Sequence, residues 1–159
     1  MSNAKVPMTV IGRKMLDEEH RQLMTVERPN IIKAIEVARA NGDLSENADY
    51  SAAKERQSFI EGRIQEINAK IAMAEVIDPK NIQSARVVFG ATVVLKELDR
   101  GEEITYQIVG VDEANIKIGK IGVTSPVARA LIGKSEGEEV VVHAPRGQVQ
   151  YEIIEIRYE

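Results

Sequence analysis

Ile60-Glu61-Gly62-Arg63-Ile64-Gln65-Glu66-Ile67-Asn68-Ala69-Lys70-Ile71-Ala72-Met73-Ala74 sets apolar side chains at positions 60, 64, 67, 71 and 74. A 4-3-4-3 spacing is the narrow a/d stripe of a coiled-coil seam, so this segment predicts a helix that pairs with another helix. The partner lies upstream, where Leu16, Leu23, Ile31, Ile35 and Ala38 form a looser stripe. Arg28-Pro29 interrupts it, and a proline inside a helix removes one backbone donor, which predicts a kink or a break. Between the stripes runs Asn41-Gly42-Asp43-Leu44-Ser45-Glu46-Asn47, a polar connector with a glycine suited to ending a helix. So short a link forces the helices antiparallel and makes an αα-hairpin. Arms of roughly 27 residues would be about 40 Å long at the α-helical rise, a rod suited to presenting its turn.

The pattern changes near Asp78-Pro79. Beyond it, β-branched runs alternate with turn signals: Val87-Val88-Phe89, Thr92 to Leu95, Ile104 to Val109, Val140 to Val142 and Gln150 to Ile156. They are separated at Asp99-Arg100-Gly101, Asp112 to Asn115 and Pro145-Arg146-Gly147, which predicts an antiparallel sheet. Ser125-Pro126-Val127-Ala128-Arg129-Ala130-Leu131-Ile132-Gly133 predicts one short helix, with Ser125 as cap, Pro126 at its first position and Gly133 as its stop. The expected class is α+β, divided into an N-terminal antiparallel coiled-coil hairpin (1–78) with an acidic tip near 41–49, a linker (79–85) and a C-terminal β domain (86–159).

Composition narrows the function classes. The 159 residues carry 21 Lys+Arg against 25 Asp+Glu, a net charge of -4 that splits evenly across Asp78. A uniformly basic nucleic-acid-binding surface is therefore not expected, and free nucleic acid should bind weakly or not at all. The absence of Cys removes thiol catalysis and Cys-based zinc sites, and His20 and His143 sit in different halves with no partner motif. There is no apolar leader at the N-terminus and no run near the ~20 apolar residues that span a bilayer, so a cytoplasmic protein is expected.

The residues open to chemistry cluster at the connector. Asp43-x-x-Glu46 has the spacing of a capping box, in which Asp43 would accept from a free N–H of the second helix and Glu46 would reach back to its start. Spacing alone favours that reading. The alternative is that two hard carboxylate oxygen donors at an exposed turn share one Mg2+, an incomplete site needing phosphates or a second protein to supply the rest. Arg39, Lys54 and Arg56 near the tip are candidates for contact with phosphates or for ordinary intrahelical pairing.

Arg28-Pro29-x-Ile31-Ile32, Ala38-Arg39, Gly42-Asp43-Leu44-Ser45-Glu46-Asn47-Ala48-Asp49-Tyr50-x-Ala52-Ala53-Lys54-Glu55 and Glu61-Gly62-Arg63-Ile64 closely resemble the Gre family of bacterial transcript cleavage factors. Val76-Ile77-Asp78, Phe89-Gly90-Ala91-Thr92-Val93, Ser125 to Arg129 and Leu131 to Lys134 extend the resemblance over almost the whole chain, nearest the family's GreA branch. The resemblance implies a C-terminal domain of FKBP-like fold that docks on a coiled coil of the RNA polymerase β′ subunit, at the rim of the secondary channel. Ser125, Pro126, Val127 and Arg129 match the family's contact region there. It implies a rod that enters the channel, with Arg39, Lys54 and Arg56 facing the nascent RNA 3′ end or the channel wall. Asp43 and Glu46 would then help hold a Mg2+ shared with the polymerase, so that backtracked RNA is cut by the polymerase's own activity. The free protein would bind no cofactor and would not be an enzyme.

Two other readings stay open on the same architecture. A relative that occupies the channel and inhibits would need an altered tip, whereas Asp43 and Glu46 are intact. A prolyl isomerase or chaperone would need an aromatic pocket, and the C-terminal half offers only Phe89, Tyr106, Tyr151 and Tyr158.

Overall fold

The computed structural model describes residues 5–42 and 47–159, which form two compact units. One spans Arg13–Ala74; the other joins the described residues up to Gly12 with Glu75–Glu159. The N-terminal segment thus belongs with the C-terminal domain, and the division near Ala74 falls slightly ahead of the change in hydrophobic pattern.

The first unit is the helical hairpin. Its first arm comprises α1 (Val10–Gln22, whose first turn lies in the other unit), a π-helical turn (Leu23–Glu27) and α2 (Arg28–Ala40). Its second arm is α3 (Ala48–Met73). Leu16, Leu23, Ile35 and Ala38 of one arm and Ala53, Ile60, Ile64 and Ile67 of the other are buried as the seam, while Ile31 and Ile71 are only half-buried and Ala74, the last position of the 4-3-4-3 stripe, already belongs to a strand. Pro29 does not break the first arm, which stays helical through a π-helical turn immediately ahead of it. The widened turn lets the Arg28 N–H reach the Leu23 carbonyl, five residues back, and Pro29, which has no N–H to give, follows directly after Arg28. The helix keeps going by changing its hydrogen-bond register. Paired charges cross between the arms: Arg28 grips Glu61 through two bonds of 2.8 and 2.7 Å, Arg63 grips Glu19 at 2.6 and 2.7 Å, and Arg56 meets Glu27 at 3.2 Å. Hydrogen bonding from the guanidiniums holds the Glu61 and Glu19 carboxyls below the usual carboxylate range.

In the second unit, β1 (Val6–Thr9) pairs with β2 (Ala74–Ile77), a two-stranded sheet that the sequence reading did not contain. The helix ending at Met73 gives way directly to β2. The main sheet has five strands, β3 (Thr92–Glu97), β4 (Glu103–Val109), β5 (Lys120–Gly122), β6 (Glu139–Ala144) and β7 (Gly147–Arg157), in the order β5-β4-β3-β7-β6. Pairing is antiparallel except between β4 and β5, which run parallel across a connection containing the 3-10 turn Ile116–Ile118. Val87-Val88-Phe89 is not a strand, contrary to the expectation. Val87 instead exchanges two 2.8 Å backbone bonds with Gly133 and Lys134, and Gly90, at φ 91°, turns the chain into β3. The short helix α4 (Pro126–Leu131) forms as expected: the Ser125 hydroxyl accepts the Ala128 N–H at 3.2 Å, and Gly133 follows with φ 88°. Its Ala128 and Leu131 are fully buried against Val87, Val93, Leu95, Ile108 and Ile153.

Candidate functional site at the hairpin turn

The described residues of the connector are Asn41, Gly42 and Asn47, between the end of α2 at Ala40 and the start of α3 at Ala48. Asn41 ends α2 by donating its N–H to the Ala38 carbonyl, and Gly42 follows at φ 141°, a conformation that disfavours residues with a Cβ. Asp43 and Glu46, the candidate metal-sharing carboxylates, lie outside the described residues. What is described corrects the reading of their spacing. The start of α3 is capped by Asn47, whose Oδ1 accepts the Tyr50 N–H at 3.0 Å, and Ala48 is the first helical residue. The capping box proposed for Asp43 and Glu46 is therefore not how this helix begins.

Asn47 also ties the arms together. Its Nδ2 donates to the Ala38 carbonyl at 2.6 Å, so one side chain closes the exit of α2 onto the entry of α3. Asn immediately before a helical run, followed by Asp49 in the first turn, is a start signal in its own right, one that the acids at 43 and 46 overshadow in the sequence. A groove of about 450 Å³ lies between the arms just behind the turn, floored by Ala34, Ala38 and Ala53 and rimmed by Lys33, Asn41 and Asp49.

The three candidate cations differ in their surroundings. Arg39 is exposed and has no hydrogen-bond or ion-pair partner among the described residues. Lys54 is exposed and donates to the Gln57 amide oxygen at 3.1 Å, so its charge is not neutralised by that contact. Arg56 is engaged within the hairpin: it pairs with Glu27 and lies over the Phe59 ring, 5.3 Å from the centroid. Tyr50 is half-buried. Among the described residues no group of three His, Cys, Asp or Glu side chains is placed to hold a metal ion.

At the second candidate site, Pro126 and Arg129 are exposed on α4, Ser125 spends its hydroxyl on the cap, and Val127 is half-buried against the core. Elsewhere in the same unit is a cluster that the sequence did not announce. Glu113, in the turn after β4, accepts from the Thr9 N–H and the Gly110 N–H, both at 2.9 Å, and from the Thr9 hydroxyl. That hydroxyl in turn accepts the Gly12 N–H at 3.1 Å, as an N-cap does for α1. No side chain fits at Gly12 without displacing Glu113: a Cβ there would stand 2.2 Å from the carboxyl carbon. This lock fastens the first residues of the chain into the C-terminal unit.

Comparison with known proteins accounts for both units. The N-terminal domain model of the GreA/GreB transcription elongation factors matches residues 6–76, and the C-terminal domain model matches residues 82–158. The chain is 58% identical over 156 residues to transcription elongation factor GreA of Alkalilimnicola ehrlichii, covering 98% of this chain and 99% of that protein. It is 56% identical over 155 residues to the GreA of Neisseria meningitidis serogroup A, covering 97% and 98%. Among solved structures, GreA/GreB of Nitrosomonas europaea matches with a TM-score of 0.43 at 22% identity, over 98% of this chain and 99% of that one. GreA factor homolog 1 of Thermus thermophilus matches with a TM-score of 0.44 at 22% identity, over 96% and 99%. No helix among the described residues is long and apolar enough to cross a membrane. With both family domains matched in order along nearly the whole length, and with relatives of this identity, the chain belongs to the GreA/GreB family of transcription elongation factors.

Proposed function

We propose that this chain acts on bacterial RNA polymerase by inserting the hairpin turn into the secondary channel and stimulating the polymerase's own cleavage of backtracked RNA. The observation that carries this reading is the cap. The N-cap of α3 is Asn47, so the capping box that the 43–46 spacing suggests does not account for the two acids. What remains is an acidic pair on the connector between two long helices. Hard carboxylate oxygens are donors of the kind Mg2+ takes together with phosphate oxygens and water, and two of them are an incomplete set. The rest of the set would come from the polymerase and the RNA. A Mg2+ held there would supply charge stabilisation at the phosphodiester and activation of a water. The chain's own part is to carry the carboxylates to the RNA 3′ end and hold them there, through the Asn47 tie and the buried Ile60, Ile64 and Ile67 seam.

The cations then sort by availability. Arg39, exposed and without a partner among the described residues, would meet RNA phosphate or orient a tip carboxylate. Lys54 retains its charge for the same use, whereas Arg56 would have to leave Glu27 first. In the C-terminal unit, exposed Pro126 and Arg129 form the contact for the β′ coiled coil, with Ser125 and Val127 shaping the helix that presents them.

On this account the chain is not itself a nuclease, and it works where polymerase works, in the cytoplasm. The test is fragment release from a polymerase stalled in a backtracked position, with Mg2+ present. Adding the protein should speed the appearance of short 3′ fragments, and the protein with the same RNA and Mg2+ but no polymerase should release none. Cleavage without polymerase, or none with it, contradicts the proposal.

A further inference from the structure

Gly62 stands in the middle of α3, where a glycine destabilises a helix relative to alanine. A local reason would be a neighbour that a methyl group would strike. Nothing lies within 4 Å of the position its Cβ would take, and the residue is exposed. The hairpin gains nothing from this glycine. Three residues earlier, on the same face, Phe59 leaves 66% of its surface in water, the largest exposure among the big apolar residues of the described chain. Ser58 and Ala69 on that side are also small and exposed. An aromatic knob beside a strip where backbone can be approached closely is disfavoured in the free protein and suited to a bound one.

Charge decides what kind of partner fits. The ring is braced by Arg56, whose charge is already met by Glu27. Arg63, one turn beyond Phe59, is taken by Glu19 and Glu66. Glu55, one turn before Phe59, is exposed and has no partner among the described residues. Lys54, whose charge is not neutralised, lies a turn before Ser58 and two turns before Gly62, so beside Phe59 and Gly62 themselves the free charge is that of Glu55, which disfavours a phosphodiester backbone. The face suits a polypeptide with an apolar recess and a basic side chain at the Glu55 end.

We propose that the Phe59–Gly62 face of α3 is a docking surface for a polypeptide segment of the polymerase, the Phe59 ring entering an apolar recess and the partner's backbone passing over Gly62. This rests on the proposed function, which brings the hairpin inside the secondary channel. The face would fix how deep and at what rotation the hairpin seats.

The test uses the full chain and sets stability against affinity. Gly62→Ala should raise the thermal midpoint of the free protein while weakening its competition for polymerase at least about fivefold, and Gly62→Leu should weaken it further. Phe59→Ala should leave folding nearly unchanged and weaken binding about tenfold. A photo-crosslinking side chain in place of Phe59 should label a polymerase subunit. Variants that bind as the wild type does, or crosslinking to RNA, overturn the proposal while cleavage stimulation by the wild type stands. A wild type that does not bind polymerase overturns the proposed function and this inference together.

Discussion

Asn47 should be worth more to the hairpin than its position at the edge of a polar connector implies, because its two side-chain atoms serve different helices. Asn47→Ala removes the Oδ1 acceptor of the Tyr50 N–H, an N-cap loss of about 1 kcal/mol. It also removes the Nδ2 donor to the Ala38 carbonyl, a further 0.5 to 1 kcal/mol or so, near the low end because that carbonyl keeps the Asn41 N–H at 3.2 Å. The expected total is about 1.5 to 2 kcal/mol. Asn47→Asp separates the terms: it retains the acceptor and places a negative charge at a helix N-terminus, but puts an oxygen where the donor was. It should cost about 1 kcal/mol. The two units need not unfold together, so the helical signal should be followed in urea and paired with amide exchange at Tyr50. Exchange at Tyr50 should quicken about tenfold or more in Asn47→Ala and much less in Asn47→Asp, since 1.4 kcal/mol is a factor of ten. An Asn47→Ala protein within about 0.3 kcal/mol of wild type, with Tyr50 protected as before, would refute the reasoning.

The lock in the C-terminal unit predicts strong coupling between two residues far apart in sequence. Glu113→Ala strips the acceptor from three donors around nearly buried Thr9 and should cost about 2 to 3 kcal/mol, and Gly12→Ala should cost a similar amount by expelling the same carboxylate. The double variant should be little worse than either single one in a denaturant double-mutant cycle, and additive losses would contradict the lock. For the hairpin, acid should be destabilising in a defined direction. Hydrogen bonds from Arg63, Arg28 and Lys70 hold Glu19, Glu61 and Glu66 below the ordinary carboxylate range, so their contribution is complete above about pH 4.3 and erodes as pH falls through the lower folded values. These pairs are largely exposed, so the effect is small and salt-sensitive, and Arg63→Gln should flatten the fall in hairpin melting temperature between about pH 5 and pH 2. An unchanged pH profile in that variant would count against the pairing.

The parts of the fold legible in the sequence are those where one periodicity acts alone. Ile60, Ile64 and Ile67 read as a seam and are buried as one, and Ser125-Pro126 reads as a helix start because cap and first-turn chemistry are both local. The segments that escaped the reading are governed by partners elsewhere. β1, Val6-Pro7-Met8-Thr9, has a proline and no alternation, and it is a strand because β2 and Glu113 hold it. β5 has three residues, of which Ile121 alone contributes an apolar side chain to the core. Val87 has strand chemistry but finds its backbone partners in the turn after α4. At the turn, Asp43 and Asn47 are both good caps by residue type. The choice falls to Asn47 because its amide also reaches the Ala38 carbonyl, a contact that exists only once the arms are paired. The candidate site itself was legible as a pair of acids on a connector, while its support was not.

The central claim is that Asp43 and Glu46 act at the polymerase active centre rather than as helix caps. It is tested most directly by RNA cleavage in a backtracked elongation complex with Mg2+, comparing wild type with Asp43→Ala and Glu46→Ala at matched polymerase occupancy. The account predicts that both variants fold with the wild-type helix content, bind polymerase as the wild type does, and fail to accelerate release of 3′ fragments. Variants that accelerate cleavage as well as the wild type would contradict it, as would three proteins that bind equally and accelerate nothing, the behaviour of a protein that only occupies the channel.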